Sequence, residues 1–190
     1  MEVREPPTTY TEYCLLPEDA PRYEILEGVG YLTPSPGGRH QKIGANIFKS
    51  LDRYVCAKKA GEVFVGPFDV IFSEKDVVQP DVFFVAEERL SIVRDRGVFG
   101  PPDLVVEILS PSNATRDLQQ KLALYQRYGV REYWIVDPES RTVDVWSSHD
   151  SALDTRRVVC GDGLIQSSIL PGLVIGLTEV FAGVERIRLE

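Results

Sequence analysis

The sequence predicts an α/β domain of three layers: a mixed central β-sheet flanked by helices, with extra β-hairpins at the termini. Two observations carry that prediction. Leu104-Val105-Val106-Glu107-Ile108-Leu109 is short and nearly all apolar, the pattern of a strand buried on both faces. Two other segments repeat apolar residues at helical spacing, Ile43, Ile47, Leu51 and Val55 in one and Leu118, Leu122 and Tyr125 in the other. Helices of that kind can cover both faces of a sheet. The length of 190 residues suits one domain. Hydrophobic residues are 43% and charged residues 26%, which excludes disordered and fibrous classes.

The elements follow in order. Residues 1–20 read as an N-terminal arm, rich in proline, with a short helix near Thr11–Leu15; residues 21–190 read as the single domain. Tyr23 to Leu32 reads as a strand pair broken at Glu27-Gly28 and Gly30. Thr33-Pro34-Ser35-Pro36-Gly37-Gly38 is a loop of breakers. A helix is expected from about Arg39 to near Gly61. Glu62–Phe72 and Val77–Val85, joined by Ser73-Glu74-Lys75-Asp76, read as one hairpin. Residues 86–103 are polar and end in Gly100-Pro101-Pro102. After the Leu104–Leu109 strand comes a loop, Ser110-Pro111-Ser112-Asn113, then a helix over Asp117–Tyr128 with Gly129 as its stop. Tyr133–Val136 is a second buried strand, followed by Thr142–Trp146. Hairpin material surrounds Gly161-Asp162-Gly163 and Pro171-Gly172, and a short helix is expected beyond Leu177.

Charge and composition narrow the function. The net charge is −8, from 21 basic and 29 acidic side chains, which argues against indiscriminate adhesion to nucleic acid. The charge is segregated, however. Residues 39–60 carry six bases (Arg39, Lys42, Lys49, Arg53, Lys58, Lys59) and one acid, Asp52. They form either a solvated helix face or a phosphate-facing patch. No apolar run approaches the ~20 residues of a membrane span. The start of the chain does not read as a signal peptide, so a cytoplasmic location is expected. Cys14, Cys56 and Cys160 are too few and too far apart for a disulfide framework or a thiolate zinc site. Gly37-Gly38-Arg39-His40 lacks the ending of a phosphate-binding P-loop.

Two carboxylates break the rule that apolar strands exclude charge. Asp81 lies in Val77-Val78-Gln79-Pro80-Asp81-Val82-Phe83-Phe84-Val85, and Glu107 lies in the buried strand. Each alone is explained by a strand-end charge reaching water. If the strands are neighbours, the two can face each other and hold a hard cation such as Mg²⁺. Lys121 falls near the inward face of the following helix, either as a partner of these acids or as a solvated lysine. His40 opens the basic helix. It can meet a phosphate or move a proton, or simply bond a loop carbonyl.

Taken together, Gln79-Pro80-Asp81, Pro101-Pro102-Asp103 through Ser112, Lys121-Leu122-Ala123-Leu124-Tyr125 and Gly129-Val130-Arg131-Glu132-Tyr133-Trp134-Ile135-Val136-Asp137-Pro138 resemble the Uma2 family. That family, also called DUF820, is a branch of the PD-(D/E)xK, restriction-endonuclease-like superfamily. Tyr23-Glu24-Ile25-Leu26-Glu27-Gly28 and His40 match the same family, and the resemblance spans roughly residues 20–180. It implies a restriction-endonuclease-like fold with the site where two strands diverge. It implies Asp81 and Glu107 as ligands of Mg²⁺ or Mn²⁺, with the Ile108 carbonyl as a further one. The position two residues after Glu107 is Leu109 rather than lysine, and Lys121 on the next helix fits the missing role. Lys121 with Tyr125 is also similar to the Gln-x-x-x-Tyr arrangement of RecB-like nucleases. Glu27 is either a further acid near the metal or a turn-facing carboxylate.

The resulting expectation is a metal-dependent endonuclease hydrolysing DNA, with Asp81, Glu107, Lys121, His40 and Glu27 as candidate catalytic residues. The alternative is a catalytically weak or inactive nucleic-acid-binding or assembly module on the same fold. A homodimer is expected from the aromatic-rich strands (Tyr133, Trp134, Trp146) and from the habit of the superfamily.

Overall fold

The structure, a computed structural model, describes residues 5–17, 19–110, 114–149 and 152–188, with backbone alone at 114–118, 149 and 152. In chain order the elements are α1 Tyr10–Cys14, β1 Tyr23–Leu26, β2 Val29–Leu32, α2 Gly38–Lys58, β3 Gly61–Val65, β4 Val70–Ser73, β5 Asp76–Val78 and β6 Val82–Ala86. A 3₁₀ turn at Glu87–Ile92 leads to β7 Val93–Arg94, β8 Gly97–Phe99, β9 Leu104–Ile108 and α3 Ala114–Tyr128. The chain continues through β10 Glu132–Asp137, β11 Thr142–His149, β12 Ala152–Val159, β13 Leu164–Gln166, β14 Val174–Gly176 and α4 Leu177–Val180.

The central sheet has the order β12-β11-β10-β9-β6-β3. It is mixed: β9 and β10 run parallel, joined through α3, and the other pairs are antiparallel. A parallel pair needs a crossover, and α3 supplies it. Period-two alternation then sorts the side chains. Leu104, Val106 and Ile108 of β9 join Ile43, Ile47, Leu51 and Val55 of α2 in one core. Val105 and Tyr133 join Leu124 and Tyr125 of α3 in the other. Trp134 is fully buried at the centre of the first core, and Ile175, Leu177 and Val180 close its edge. Truncating such a side chain, for example Leu51→Ala, costs about 2–5 kcal/mol.

Two features depart from expectation. The hairpin read over Glu62–Phe72 and Val77–Val85 is not one hairpin. β3 pairs with β6 in the central sheet, whereas β4 pairs with β5 in a second sheet of order β2-β1-β5-β4-β8-β7. Gly66-Pro67 and Pro80 divide each run in two, because proline donates no ladder hydrogen bond. The polar stretch at 86–103 also contains structure, with β7 and β8 forming the far edge of that second sheet. The second sheet packs beside α3, placing Leu26, Val70, Val78 and Val98 in the same core as Tyr125.

Helix ends follow local chemistry. α2 stops at Lys58, with Lys59 in the left-handed region at φ 52°. Gly61 then turns the chain into β3 at φ 141°, where a Cβ would lie 2.1 Å from the Val85 carbonyl oxygen. Beyond Ser110, the loop read at Ser110–Asn113 lies outside the described residues, as does the Leu118 side chain. Among the described residues no helix is long and apolar enough to cross a membrane.

Candidate active site

The carboxyl end of β9 is where the elements converge. Since Val106 and Ile108 face α2, Glu107 must face the opposite side, toward α3. There Lys121 and Tyr125, one turn apart on α3, meet it. Lys121 Nζ lies 3.0 Å from Glu107 Oε1, and the Tyr125 hydroxyl donates to the same oxygen at 2.6 Å. Lys121 also reaches back to β1, where Glu24 Oε1 accepts at 2.9 Å. The Gln79 backbone N–H donates to the same Glu24 oxygen at 2.9 Å.

Asp81 sits two residues further along, just before β6. Its Oδ2 accepts from the Ile108 N–H at 2.7 Å, which pins it beside Glu107. His40, in the first turn of α2, places Nε2 3.2 Å from Asp81 Oδ2 and 3.1 Å from the Ile108 carbonyl oxygen. Both neighbours are acceptors, so the proton resides on Nε2.

Tyr125 is buried behind Glu107. Glu24, His40, Asp81, Glu107 and Lys121 line one cavity of about 310 Å³, together with the 33–37 loop and Gly66-Pro67. They lie at its floor: the side chains are 24% exposed at Asp81, 12% at Glu107 and 6% at Lys121. Three carboxylates therefore share one ammonium and one imidazole in a recessed site, with Arg22 also in its lining. Burial pushes the Glu107 carboxyl up to about 8; Lys121 opposes the rise, while Asp81 and Glu24 add to it. Burial alone would lower the Lys121 ammonium, but the charges of Glu107 and Glu24 outweigh it and hold the pKa well above the usual lysine value. At His40 burial is likewise outweighed, here by the hydrogen bond and charge of Asp81, and the pKa rises. Burial and Glu107 raise the Tyr125 hydroxyl.

Among the described residues no group of three or more His, Cys, Asp and Glu side chains is arranged as a ready-made metal cage. The chemistry of the donors nevertheless fits a cation of the Mg²⁺ kind. Such an ion needs only one or two carboxylates and fills its other positions with water and substrate oxygen. The fit rests on geometry: Asp81, held by the Ile108 N–H at 2.7 Å, stands beside Glu107 in the same cavity, so two carboxylates and the Ile108 carbonyl converge there.

Of the residues singled out from sequence, Asp81, Glu107, Ile108, Lys121 and His40 line this cavity. Glu27 does not. It occupies the β1–β2 turn at φ 52°, its side chain is 68% exposed, and it pairs with Arg127 at 2.6 Å. Glu24 takes the inward position instead. The rule applied to Asp81 and Glu107, an acid inside an apolar strand, would have found it in Tyr23-Glu24-Ile25-Leu26.

A mixed sheet between layers, with recessed acids at the ends of adjacent strands and a lysine from the helix that follows, is the arrangement of a restriction-endonuclease-like α/β protein. Residues 9–178 match the model of Uma2, described as a putative restriction endonuclease, and the chain belongs to that family. Among solved structures it is similar to a crystal structure of a putative nuclease belonging to DUF820 from Anabaena variabilis. The two are 23% identical, with a TM-score of 0.79, and the match covers 94% of this chain and 99% of the other. That likeness establishes the fold. No curated protein matches the sequence.

Proposed function

We propose that the protein is a metal-dependent endonuclease that hydrolyses DNA phosphodiester bonds. The observation that carries this reading is the surplus of recessed carboxylate around Glu107, Asp81 and the Ile108 carbonyl, beside a lysine held in place. Membership of a family described as a putative restriction endonuclease supports it. In this reading Asp81, Glu107 and the Ile108 carbonyl hold Mg²⁺ or Mn²⁺. When bound, the ion supplies an acidified water and positive charge against the scissile phosphate.

The chain's own residues do the rest. Among the described residues Lys121 donates to Glu24 and Glu107, and in this reading its third N–H serves the attacking water or a phosphate oxygen. Glu24 acts through Lys121 and fixes its direction. Tyr125 fixes the Glu107 carboxylate, the part assigned above to a RecB-like tyrosine. His40 holds a proton at Nε2 that can pass to the leaving oxygen or neutralise a phosphate. Glu27 has no part in this mechanism. Three exposed free thiols suit a cytoplasmic setting.

Plasmid nicking tests the reading. Wild type with Mg²⁺ or Mn²⁺ nicks; EDTA or Asp81→Ala abolishes it. Nicking that persists in EDTA, or survives Asp81→Ala, overturns the metal-nuclease reading. DNA binding without cleavage would instead favour the binding-module alternative.

A further inference from the structure

Resting on the nuclease reading above, we infer that Arg22 binds a backbone phosphate of the DNA adjacent to the scissile one, and so sets the register of the strand over the proposed metal ligands.

Arg22 is placed by the same ladder that places Glu24. It precedes β1, but the Thr33 N–H donates to the Arg22 carbonyl at 2.9 Å, one step beyond the Tyr23–Leu32 pair, so Arg22 continues the extended register of the strand. Side chains alternate along a strand, and Arg22 therefore shares a face with Glu24. Both line the cavity that holds Asp81, Glu107 and Lys121. Two residues of strand span roughly 7 Å. Glu24 is bonded to Lys121, and Lys121 to Glu107, so Arg22 stands one pleat beyond the anchor of the lysine. A cation at that remove meets a neighbouring phosphate rather than the reacting one.

Its bonding sets it apart. Arginines elsewhere are spent within the chain: Arg89 and Arg131 on Asp103, Arg127 on Glu27, Arg156 on Asp144. Arg22 lines a cavity with three carboxylates, yet among the described residues it forms no ion pair and its guanidinium donates no hydrogen bond, because Glu24 and Glu107 are taken by Lys121 and Asp81 by His40. The residue is exposed. An exposed guanidinium that the fold does not use is open to an anion from outside, and its planar fork matches two phosphate oxygens at once. The start of α2 adds to the same field. Gly37, His40 and Gln41 also line the cavity, and Gly37, as N-cap, brings no side chain to the N–H groups of the first turn. A DNA strand approaching three carboxylates thus finds its positive contact away from the acids that would hold the metal. Contacts of this kind position the backbone and read no sequence.

The test uses the full chain and a fluorescent DNA duplex of about 20 base pairs. Binding is followed by anisotropy in EDTA over a range of salt, and cleavage kinetics with Mg²⁺. Arg22→Gln should weaken binding about tenfold at about 0.1 M salt, and the slope of log affinity against log salt should become shallower by about 0.9, the share of one duplex phosphate. With Mg²⁺ it should raise KM while kcat stays within about twofold. Arg22→Lys keeps the charge and should keep the slope while recovering only part of the affinity. Arg127→Gln, which breaks an exposed pair outside the cavity, should leave affinity and slope unchanged. A folded Arg22→Gln with wild-type affinity and slope overturns the inference and leaves the nuclease reading standing. So does a loss confined to kcat, which would put Arg22 on the reacting phosphate. An Arg22→Gln chain that fails to fold also overturns it, since Arg22 would then serve the fold. The expected change of slope without any cleavage leaves the phosphate contact standing, and the nuclease reading alone fails. A wild type that neither binds nor cuts DNA overturns both.

Discussion

Strand β9 has a buried acid at each end, and the two ends are balanced in opposite ways. Asp103, just before it, has a side chain 0% exposed. It receives Arg89 at 2.8 Å, Arg131 at 3.5 Å and the Ala86 N–H at 2.9 Å. One carboxylate is matched by two guanidinium groups and a backbone donor. Glu132 on the neighbouring strand is similarly satisfied, by Trp134 Nε1 and by the backbone and hydroxyl of Ser168. At the other end, Glu107 and Glu24 share the Lys121 ammonium, and among the described residues Asp81 has only the His40 imidazole. Buried acid alone therefore does not mark a site. Acid left short of positive charge does, because it retains affinity for a cation or proton that the fold has not supplied.

Exchanging one acid at each end gives the sharpest contrast. Glu107→Gln should lower nicking by about 10²–10³-fold, the loss typical of removing one electrostatic contact to the reacting centre, while the protein stays folded. Asp103→Asn should do the reverse. Urea unfolding should show a loss of about 2–4 kcal/mol, at the low end for a broken buried pair because both arginines are partly exposed, while activity per folded molecule is kept. If both variants lose activity alike, the contrast between the two ends is wrong. Lys121→Met should reduce nicking by about 10²-fold per folded molecule and also lower stability, since Glu24 and Glu107 lose their buried partner, and Lys121→Arg should not match wild type, because the fork of arginine does not fit where a compact ammonium sits between two carboxylates.

The imbalance also has a pH signature. Glu107 titrates near 8 in the metal-free fold and near its ordinary value when unfolded, so between those values the folded state holds a proton that the unfolded state has lost. Metal-free stability should therefore fall as pH rises from about 4.5 to about 8 and then level off. Metal affinity should climb over the same range. Thermal melts of wild type against Glu107→Gln would check this: the variant should lose that part of the slope. The smallest effect belongs to Glu27→Ala, which should leave nicking within about twofold, as expected for breaking an exposed ion pair outside the cavity.

Much of the site was legible because charge inside greasy strands is a local anomaly. Asp81 and Glu107 are conspicuous in their own few residues; the period of its helix places Lys121 only near the inward face, and the family resemblance singled it out. Glu24 was harder. It shares a four-residue strand with a turn that holds Glu27, and which acid points inward depends on β1 docking on β5 at Ile25 and Val77, more than 50 residues away. The central sheet was readable from its long apolar strands. Of the second sheet only the Tyr23–Leu32 strand pair was, since the remaining strands are two to four residues long and two of them overlap runs that read as longer strands. Gly66-Pro67 and Pro80 were visible as breakers, but a breaker does not say which sheet the chain joins next.

Lys121 binds Glu24 of one sheet and Glu107 of the other from the helix between them. The ammonium thus acts as a rivet, and the proposed chemistry exists only in molecules whose layers have all docked. Amide protons of β1, β9 and α3 should then exchange with solvent as one cooperative unit, and a chain with its outer sheet peeled away would be silent rather than unregulated.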